Sequence, residues 1–247
     1  MGILNFLKKQ PTPPELPQEE LLVDIHSHLI PGIDDGAKNM ERALQMAASM
    51  KKLGYKKLIT TPHITGDFFR NTPEIILGGL SKLNEAIKQE GIDIEVEAAA
   101  EYYLDEWFME KLNAGPLLTM GKKYLLVETS YWNEPAGFEE TIFQIQVAGY
   151  KPVLAHPERY IFMQEDFSRY EKLLEKKVLF QINLLSLTKY YSPEAKLICE
   201  KLIDAGMAHF AGSDIHTPRH IPRLKEAMTS KYFRKLCKLP LLNNTLA

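Results

Sequence analysis

Metal-ligating side chains recur just after short apolar runs along this chain. These runs end in LLVDIHSH, LITTPH, VEAAAE, YLLVE, PVLAH and AHFAGSDIH, so five of the seven histidines and several carboxylates stand at the ends of candidate strands. In a barrel or a doubly wound α/β fold the carboxyl ends of parallel strands face one crevice. Ligands that are distant in sequence can therefore converge, and the pattern predicts a polynuclear metal site. Its candidate ligands are His26, His28, His63, Glu101, Glu128, His156, Asp214 and His216.

The organisation of the chain supports an α/β fold. From residue 21 onward, apolar runs alternate with segments of helical periodicity, which is typical of βα units around a parallel sheet. Asn39, Thr72-Pro73 and Ser192-Pro193 are expected to begin helices, since each supplies a capping side chain and the last two also place a proline at the first helical position. Seven strands with helices between them favour a closed or nearly closed barrel. The predicted strands are 21–25, 57–61, 94–100, 124–128, 152–155, 179–183 and 208–212.

We expect one barrel domain over residues 21–247, preceded by a flexible leader. Residues 1–20 contain the Pro-rich stretch PTPPELP and are interpreted as that leader, with weak docking to a membrane or a partner as the alternative. The tail, 231–247, is basic and then apolar, and it is expected to form a last helix or a strap that closes the barrel.

Composition limits the possible partners and compartments. The formal net charge is -2 with no basic block, which argues against a nucleic-acid-binding surface but allows a small phosphorylated substrate. No apolar run reaches the roughly 20 residues of a transmembrane helix. The two cysteines, Cys199 and Cys237, form no CxxC pair, so reduced thiols and a cytoplasmic location are expected.

Two pairs of candidate ligands share the same spacing. His26 and His28 stand two residues apart after the first strand, and Asp214 and His216 repeat that spacing after the last. Strand residues two apart point to one side, so each pair can reach one ion, although a lone HxH pair is often structural. Across a closed barrel the pairs form a four-ligand cluster. Imidazoles and carboxylates without thiolates suit Mn²⁺, Fe or Zn²⁺ rather than Ca²⁺ or a structural zinc site.

Asp34 and Asp35 lie in the loop PGIDDG. Both fit an Asx-type turn before a glycine, and Asp35 is also a candidate ligand. Arg159, in HPER, offers a planar fork of donors for phosphate oxygens, or else a salt bridge at a helix start.

Further candidates follow the last ligand pair. In TPRHIPR, Arg219 is the candidate for a second phosphate-binding arginine, Arg223 competes with it, and His220 could donate a proton. Aromatic residues after the strands could flank an aromatic phosphoester, or simply pack the loops. They are Phe68, Phe69, Tyr102, Tyr103, Trp107, Tyr131, Trp132 and Tyr160.

In this order, the motifs DIHSHLIPGIDDG, TTPH, AAAEYY, LLVE, AHPER and GSDIH resemble those of the PHP (polymerase and histidinol phosphatase) superfamily. More narrowly they are similar to the metal-dependent bacterial protein-tyrosine phosphatases of capsular and exopolysaccharide operons. The resemblance covers residues 22 to about 228. It implies a distorted (β/α)7 TIM-like barrel with up to three divalent ions, Mn²⁺ by expectation. The implied ligands are His26, His28, Asp35, His63, Glu101, Glu128, His156, Asp214 and His216, with Arg159 on the phosphate.

The resemblance also implies an activity and a partner. Divalent ions would acidify a water that attacks phosphorus, and the substrate would be a tyrosine-phosphorylated protein, namely the tail of a bacterial tyrosine kinase. A cysteine-dependent route needs an arginine six positions after the thiol, where Ala205 and Asn243 stand instead. Two alternatives remain: a small-molecule phosphomonoesterase, such as one for histidinol phosphate, and a non-catalytic, metal-stabilised binding module.

Overall fold

Short parallel strands form the centre of the protein. The computed structural model describes residues 20–247, so the leader predicted for residues 1–20 lies outside the described part except for its last residue. That leader and the single domain over 21–247 stay predictions. The strands are β1 (Val23–Asp24), β2 (Lys57–Thr60), β3 (His63–Ile64), β4 (Glu95–Ala98), β5 (Glu101–Tyr103), β6 (Tyr124–Glu128), β7 (Lys151–Ala155), β8 (Leu179–Asn183) and β9 (Phe210–Gly212).

The strands pair in parallel and curl into a barrel. One sheet has the order β1-β2-β4, and the other has the order β3-β5-β6-β7-β8-β9. β3 follows β2 after two residues, and β5 follows β4 after two. We count each of these pairs as one interrupted strand of the barrel and call each barrel strand, interrupted or not, a stave. The described barrel then has seven staves. The first and last staves meet where the Asp214 N–H donates to the His26 carbonyl at 2.7 Å and the His28 N–H donates to the Ile215 carbonyl at 3.0 Å. The predicted (β/α)7 architecture is confirmed.

Helices follow the strands, and they begin where the capping residues predicted. The side chains of Asn39, Thr72 and Ser192 each accept a hydrogen bond from a backbone N–H of the first turn. The helices are α1 (Met40–Lys52), α2 (Pro73–Gln89), α3 (Glu106–Ala114), α4 (Phe138–Val147), α5 (Ile161–Gln164), α6 (Ser168–Glu175), α7 (Pro193–Asp204), α8 (Ile221–Met228) and α9 (Lys231–Cys237). No helix within residues 20–247 combines the length and apolarity needed to cross a membrane.

The interior of the barrel is apolar near the amino-terminal ends of the strands and becomes polar at their carboxyl ends. On β6, Leu126 belongs to a small apolar cluster inside the barrel, whereas Leu125 and Val127 pack in the larger core with the helices. Side chains alternate between the two faces of a strand, so Glu128 follows Leu126 on the inner face. The inner apolar cluster contains Val23, Ile25, Ile59, Ala99, Met120, Leu126, Val153, Ala155 and Phe210.

The tail closes the amino-terminal end of the barrel, as predicted. Asn243 is fully buried; it accepts a hydrogen bond from the Ala211 N–H and donates to the carbonyls of Val23 and Ala211. Leu242 and Leu246 pack against the inner apolar cluster. One asparagine therefore connects β1 with β9 at the end opposite the candidate ligands.

Candidate metal centre

Four overlapping groups of ligand-type side chains lie at the carboxyl end of the barrel. Within each group one ligand atom per residue lies within 4.8 Å of the others. The groups share members: His28 belongs to two of them, and so do His26, His63 and Glu101. The nine predicted ligands are all present, as His28, Asp35, His63 and His216; His26, His28 and Asp214; His26, Glu101 and His156; and His63, Glu101 and Glu128.

The strand ends deliver these side chains, and two of them occupy unusual backbone conformations. His156 follows β7 with φ of 35°, and Asp214 follows β9 with φ of 51°. Non-glycine residues rarely adopt this left-handed region, and such strain is concentrated at functional sites. The two residues turn the chain sharply at the point where their side chains enter the cluster.

Two glycines allow the backbone to approach the histidine pair. A Cβ at Gly36 would lie 2.4 Å from the Cβ of His28, and a Cβ at Gly212 would lie 2.6 Å from the Cβ of His26. Any larger residue would displace the imidazoles. The glycines in PGIDDG and GSDIH therefore have a steric role that the sequence interpretation did not assign.

Glu101 lies at the centre of the cluster. Its Oε2 is 3.1 Å from His26 Nε2 and 3.1 Å from His63 Nδ1, while its Oε1 is 3.1 Å from His156 Nε2. His63 Nδ1 is also 3.0 Å from Glu128 Oε1, yet this buried nitrogen has no hydrogen-bond partner among residues 20–247. A nitrogen that approaches two carboxylates without bonding to them is well placed to share a cation with them. The donor set therefore fits divalent ions.

The electrostatics support the same conclusion. Four carboxylates of the cluster are accompanied by one guanidinium, that of Arg159. Burial alone would lower the pKa of His26, but Glu101 and Asp214 outweigh it and raise that pKa to about 10. Burial likewise would raise the pKa of Glu101, but the imidazoles of His26 and His63 hold it well below its usual range. Three of the four carboxylates, those of Glu101, Glu128 and Asp214, are buried, and buried anionic groups need protons or metal ions for compensation.

Side chains behind the ligands fix their orientation, and sequence reasoning missed this role. Gln181 Oε1 lies 2.7 Å from His26 Nδ1, and Asp34 Oδ2 lies 2.8 Å from His28 Nδ1. Asn183 Nδ2 donates to Asp214 Oδ2 at 2.7 Å. Partners of this kind set the tautomer and angle of metal ligands. The available signal was polar residues at alternate positions of the buried run FQIN.

Arg159 stands beside the cluster in a cavity of about 510 Å³. Its guanidinium carbon lies 4.5 Å from the ring centre of Tyr131 and 4.0 Å from that of Tyr191. Nη1 donates to Asp214 Oδ2 at 3.0 Å. The two rings hold the guanidinium plane in a fixed orientation, with donors left over for an oxyanion.

The structure separates the candidates that follow the last ligand pair. His220 lines the cavity, whereas Arg219 is exposed and is not among the lining residues. Arg223 pairs with Glu226 at 2.9 Å on the protein surface.

Only part of the predicted aromatic set lines the cavity. Of the eight, Phe68, Phe69, Tyr103 and Tyr131 line it, and Tyr190 and Tyr191 join them from the loop after β8. Tyr102, Trp107, Trp132 and Tyr160 do not.

Known proteins share this architecture. The tyrosine-protein phosphatase YwqE of Bacillus subtilis is 31% identical over 196 residues, which cover 79% of this chain and 77% of the relative. The tyrosine-protein phosphatase CpsB of Streptococcus pneumoniae is 25% identical over 233 residues, covering 90% and 96%. A crystal structure from work on YwqE and CpsB, described as unique metal-dependent tyrosine phosphatases, has a TM-score of 0.79 at 27% identity, covering 90% of this chain and 91% of that one.

The family model described as capsular polysaccharide synthesis, CpsB/CapC, matches residues 22–241. This match extends across the whole barrel and includes every residue of the metal cluster. It confirms the resemblance that the ordered motifs indicated. The chain belongs to the CpsB/CapC family.

Proposed function

We propose that this protein is a metal-dependent phosphatase that hydrolyses phosphotyrosine on proteins. The observation that carries the proposal is the cluster of nine ligand-type side chains, seven of which line a single cavity together with one stacked arginine. The names of the relatives YwqE and CpsB support the same activity. The family description connects it with capsular polysaccharide synthesis.

The nine clustered residues are proposed as the ligands of up to three divalent ions, with Mn²⁺ as the first candidate and Fe or Zn²⁺ as the others. The ligands are His26, His28, Asp35, His63, Glu101, Glu128, His156, Asp214 and His216. The overlap of the four groups favours more than one ion, because a carboxylate such as Glu101 can serve two neighbouring ions. When bound, divalent ions supply the acidification of water and the charge neutralisation that phosphoester hydrolysis needs.

Arg159 is proposed to bind the phosphoryl oxygens. Its side chain is 18% exposed, so the fork reaches the cavity while burial between Tyr131 and Tyr191 limits its motion. Burial also raises the pKa of both tyrosines, so their phenols stay neutral beside the substrate. A preorganised guanidinium stabilises charge that develops on phosphate oxygens without reorganising during the reaction.

Arg219 stays the candidate for a second phosphate-binding arginine. Its side chain is exposed and makes no ion pair within residues 20–247, so it is free to turn toward a substrate, whereas Arg223 is engaged by Glu226. Loss of phosphatase activity in Arg219→Ala but not in Arg223→Ala would assign the role. Equal activities of the two variants would remove it from Arg219.

The proposed partner is the phosphorylated tail of a bacterial tyrosine kinase of polysaccharide synthesis, and the proposed location is the cytoplasm. The family description supports a role in capsular polysaccharide synthesis, and the name of the relative CpsB supports a tyrosine-phosphorylated protein as the substrate.

The test measures phosphate release from a phosphotyrosine peptide by protein loaded with Mn²⁺, with histidinol phosphate as the competing substrate. We expect a much higher kcat/KM for the peptide, and loss of hydrolysis in His156→Ala and in chelated protein. Metal analysis of the same samples shows whether each is loaded. Fully loaded protein without phosphatase activity would leave the binding-module alternative, and preference for histidinol phosphate would reassign the substrate.

A further inference from the structure

A second concave surface adjoins the metal centre. It has a volume of about 610 Å³ and lies between the loop after β8, the start of α7, and α8. We refer to it as the basic groove, and its lining includes Thr188, Lys189, Tyr190, Lys196, Arg223 and Glu226.

The basic groove carries a surplus of positive charge. Lys189 is exposed and makes no ion pair or hydrogen bond with any other residue of the described range 20–247. Lys196 approaches Glu200 only at 3.9 Å, and the one acid of the lining, Glu226, pairs with Arg223 at 2.9 Å. At least one cation is therefore available for an anionic ligand. A cavity beside α6 differs, because three acids accompany Arg169 and Lys172 there.

Tyr190 forms part of both the basic groove and the metal-centre cavity. His220 Nδ1 accepts from the His216 N–H, so its Nε2 carries the proton and donates to Tyr190 Oη at 2.9 Å. This bond holds the ring as a wall between the two cavities. Lys189, the preceding residue, stands on the far side of that wall, away from the ligand cluster.

We propose that the basic groove binds a carboxylate side chain of the protein substrate, close in sequence to its phosphotyrosine. This inference rests on the proposed phosphatase function. An extended peptide advances about 3.3–3.6 Å per residue, so an Asp or Glu roughly two to four positions from the phosphotyrosine can cross Tyr190 into the groove. The groove thereby favours substrates with acidic residues near the phosphotyrosine, while the metal centre and Arg159 bind only the phosphate.

The test compares peptides that differ only at those neighbouring positions. Metal-loaded full-length protein is assayed with a phosphotyrosine peptide flanked by glutamates, with the alanine analogue, and with p-nitrophenyl phosphate. Each exposed ion pair is worth a factor of roughly 1.5 to 5 in affinity. We expect the glutamate peptide to have a KM lower by about 3- to 10-fold, with kcat unchanged and the preference lost in high salt.

Variants of Lys189 assign that preference to the groove. Lys189→Glu is expected to remove it, to favour a lysine-flanked peptide instead, and to leave p-nitrophenyl phosphate hydrolysis unchanged. Lys172→Glu is the matched control, because that lysine is also exposed and lines the cavity beside α6. Equal KM values for glutamate and alanine peptides, or a preference that survives in Lys189→Glu, would overturn the proposal. Absence of hydrolysis of every phosphopeptide would instead contradict the proposed function.

Discussion

The first and last staves of the barrel are joined at both of its ends, but by different kinds of side chain. At the amino-terminal end, Asn243 joins β1 to β9 with three neutral hydrogen bonds above an apolar cluster. At the carboxyl end, the same two staves meet between His26 and Asp214, whose side chains belong to the metal cluster. At the amino-terminal end the polar groups bond to one another, whereas at the carboxyl end several side chains keep atoms available to bind metal ions.

Because the two ends differ in this way, we expect one to determine the stability of the protein and the other to determine its activity. Neutral, fully buried hydrogen bonds contribute to folding, because each stranded partner would cost desolvation energy. Closely placed carboxylates oppose folding unless protons or ions compensate them. The amino-terminal end is therefore expected to control the free energy of unfolding, and the carboxyl end is expected to control metal binding and hydrolysis.

The largest effect is expected at the centre of the carboxyl end. Glu101→Gln keeps the side-chain volume but removes the charge shared by His26, His63 and His156. Because bound ions supply several kcal/mol of transition-state stabilisation, we expect phosphopeptide hydrolysis to fall on the order of 10³-fold or more. Steady-state kinetics and metal analysis measure the change.

The control for Glu101→Gln lies on the same stave. Glu97 is half-exposed on β4 and pairs with Lys57, so Glu97→Gln is expected to change kcat/KM by less than about twofold. A Glu101→Gln protein that keeps full metal content and near-normal activity would contradict the assignment of Glu101 as a ligand.

The next effect is expected at the amino-terminal end, on stability alone. Asn243→Ala strands the Ala211 N–H and the carbonyls of Val23 and Ala211, which should lower the free energy of unfolding by about 2–4 kcal/mol. Urea denaturation measures it. The exposed neighbour Asn244 provides the control, and Asn244→Ala should cost less than about 1 kcal/mol. If folded Asn243→Ala protein lost catalysis as well, the two ends would not be separable.

A smaller effect, on metal affinity, is expected for a residue that orients a metal ligand from behind. Gln181 lies on β8, and its Oε1 accepts from His26 Nδ1, which leaves Nε2 available as a ligand atom. Gln181→Leu should weaken Mn²⁺ binding by about 10- to 100-fold in a calorimetric titration. Gln181→Glu retains the acceptor and should bind Mn²⁺ more tightly than Gln181→Leu. Equally weak binding by both variants would point to packing rather than imidazole orientation.

Much of the barrel was predictable because inner and outer positions of its strands are both buried. The runs 124–128 and 179–183 match β6 and β8 residue for residue. The stave predicted at 57–61 is longer than expected, since β3 resumes after Pro62, which has no N–H to donate to a neighbouring strand. Strand ends carry ligands in this fold, so predicting the strands also predicted where the ligands meet.

The surroundings of the ligands were less predictable, because they depend on which face of a strand each residue occupies. Tyr102 and Tyr103 are neighbours on β5, yet Tyr103 lines the cavity while the Tyr102 hydroxyl accepts from the Leu118 N–H in the core. Tyr191 comes from a loop whose path no periodicity describes. Two adjacent tyrosines therefore have opposite environments, one in the cavity and one in the core, and only the structure shows which is which.

The smallest effect is expected for the two thiols, which lie outside the cluster of candidate metal ligands. Cys199 is fully buried on α7 in the outer core, and burial raises the pKa of its thiol well above the usual range. Cys237 ends α9 and does not line the metal-centre cavity. The variant with Cys199→Ala and Cys237→Ser should keep kcat/KM within about twofold, since truncating a buried side chain lowers stability rather than chemistry. Iodoacetamide should likewise leave wild-type hydrolysis intact. A folded, metal-loaded double variant without activity would show that a thiol takes part in catalysis, and the contrast between the two ends would then omit a reacting group.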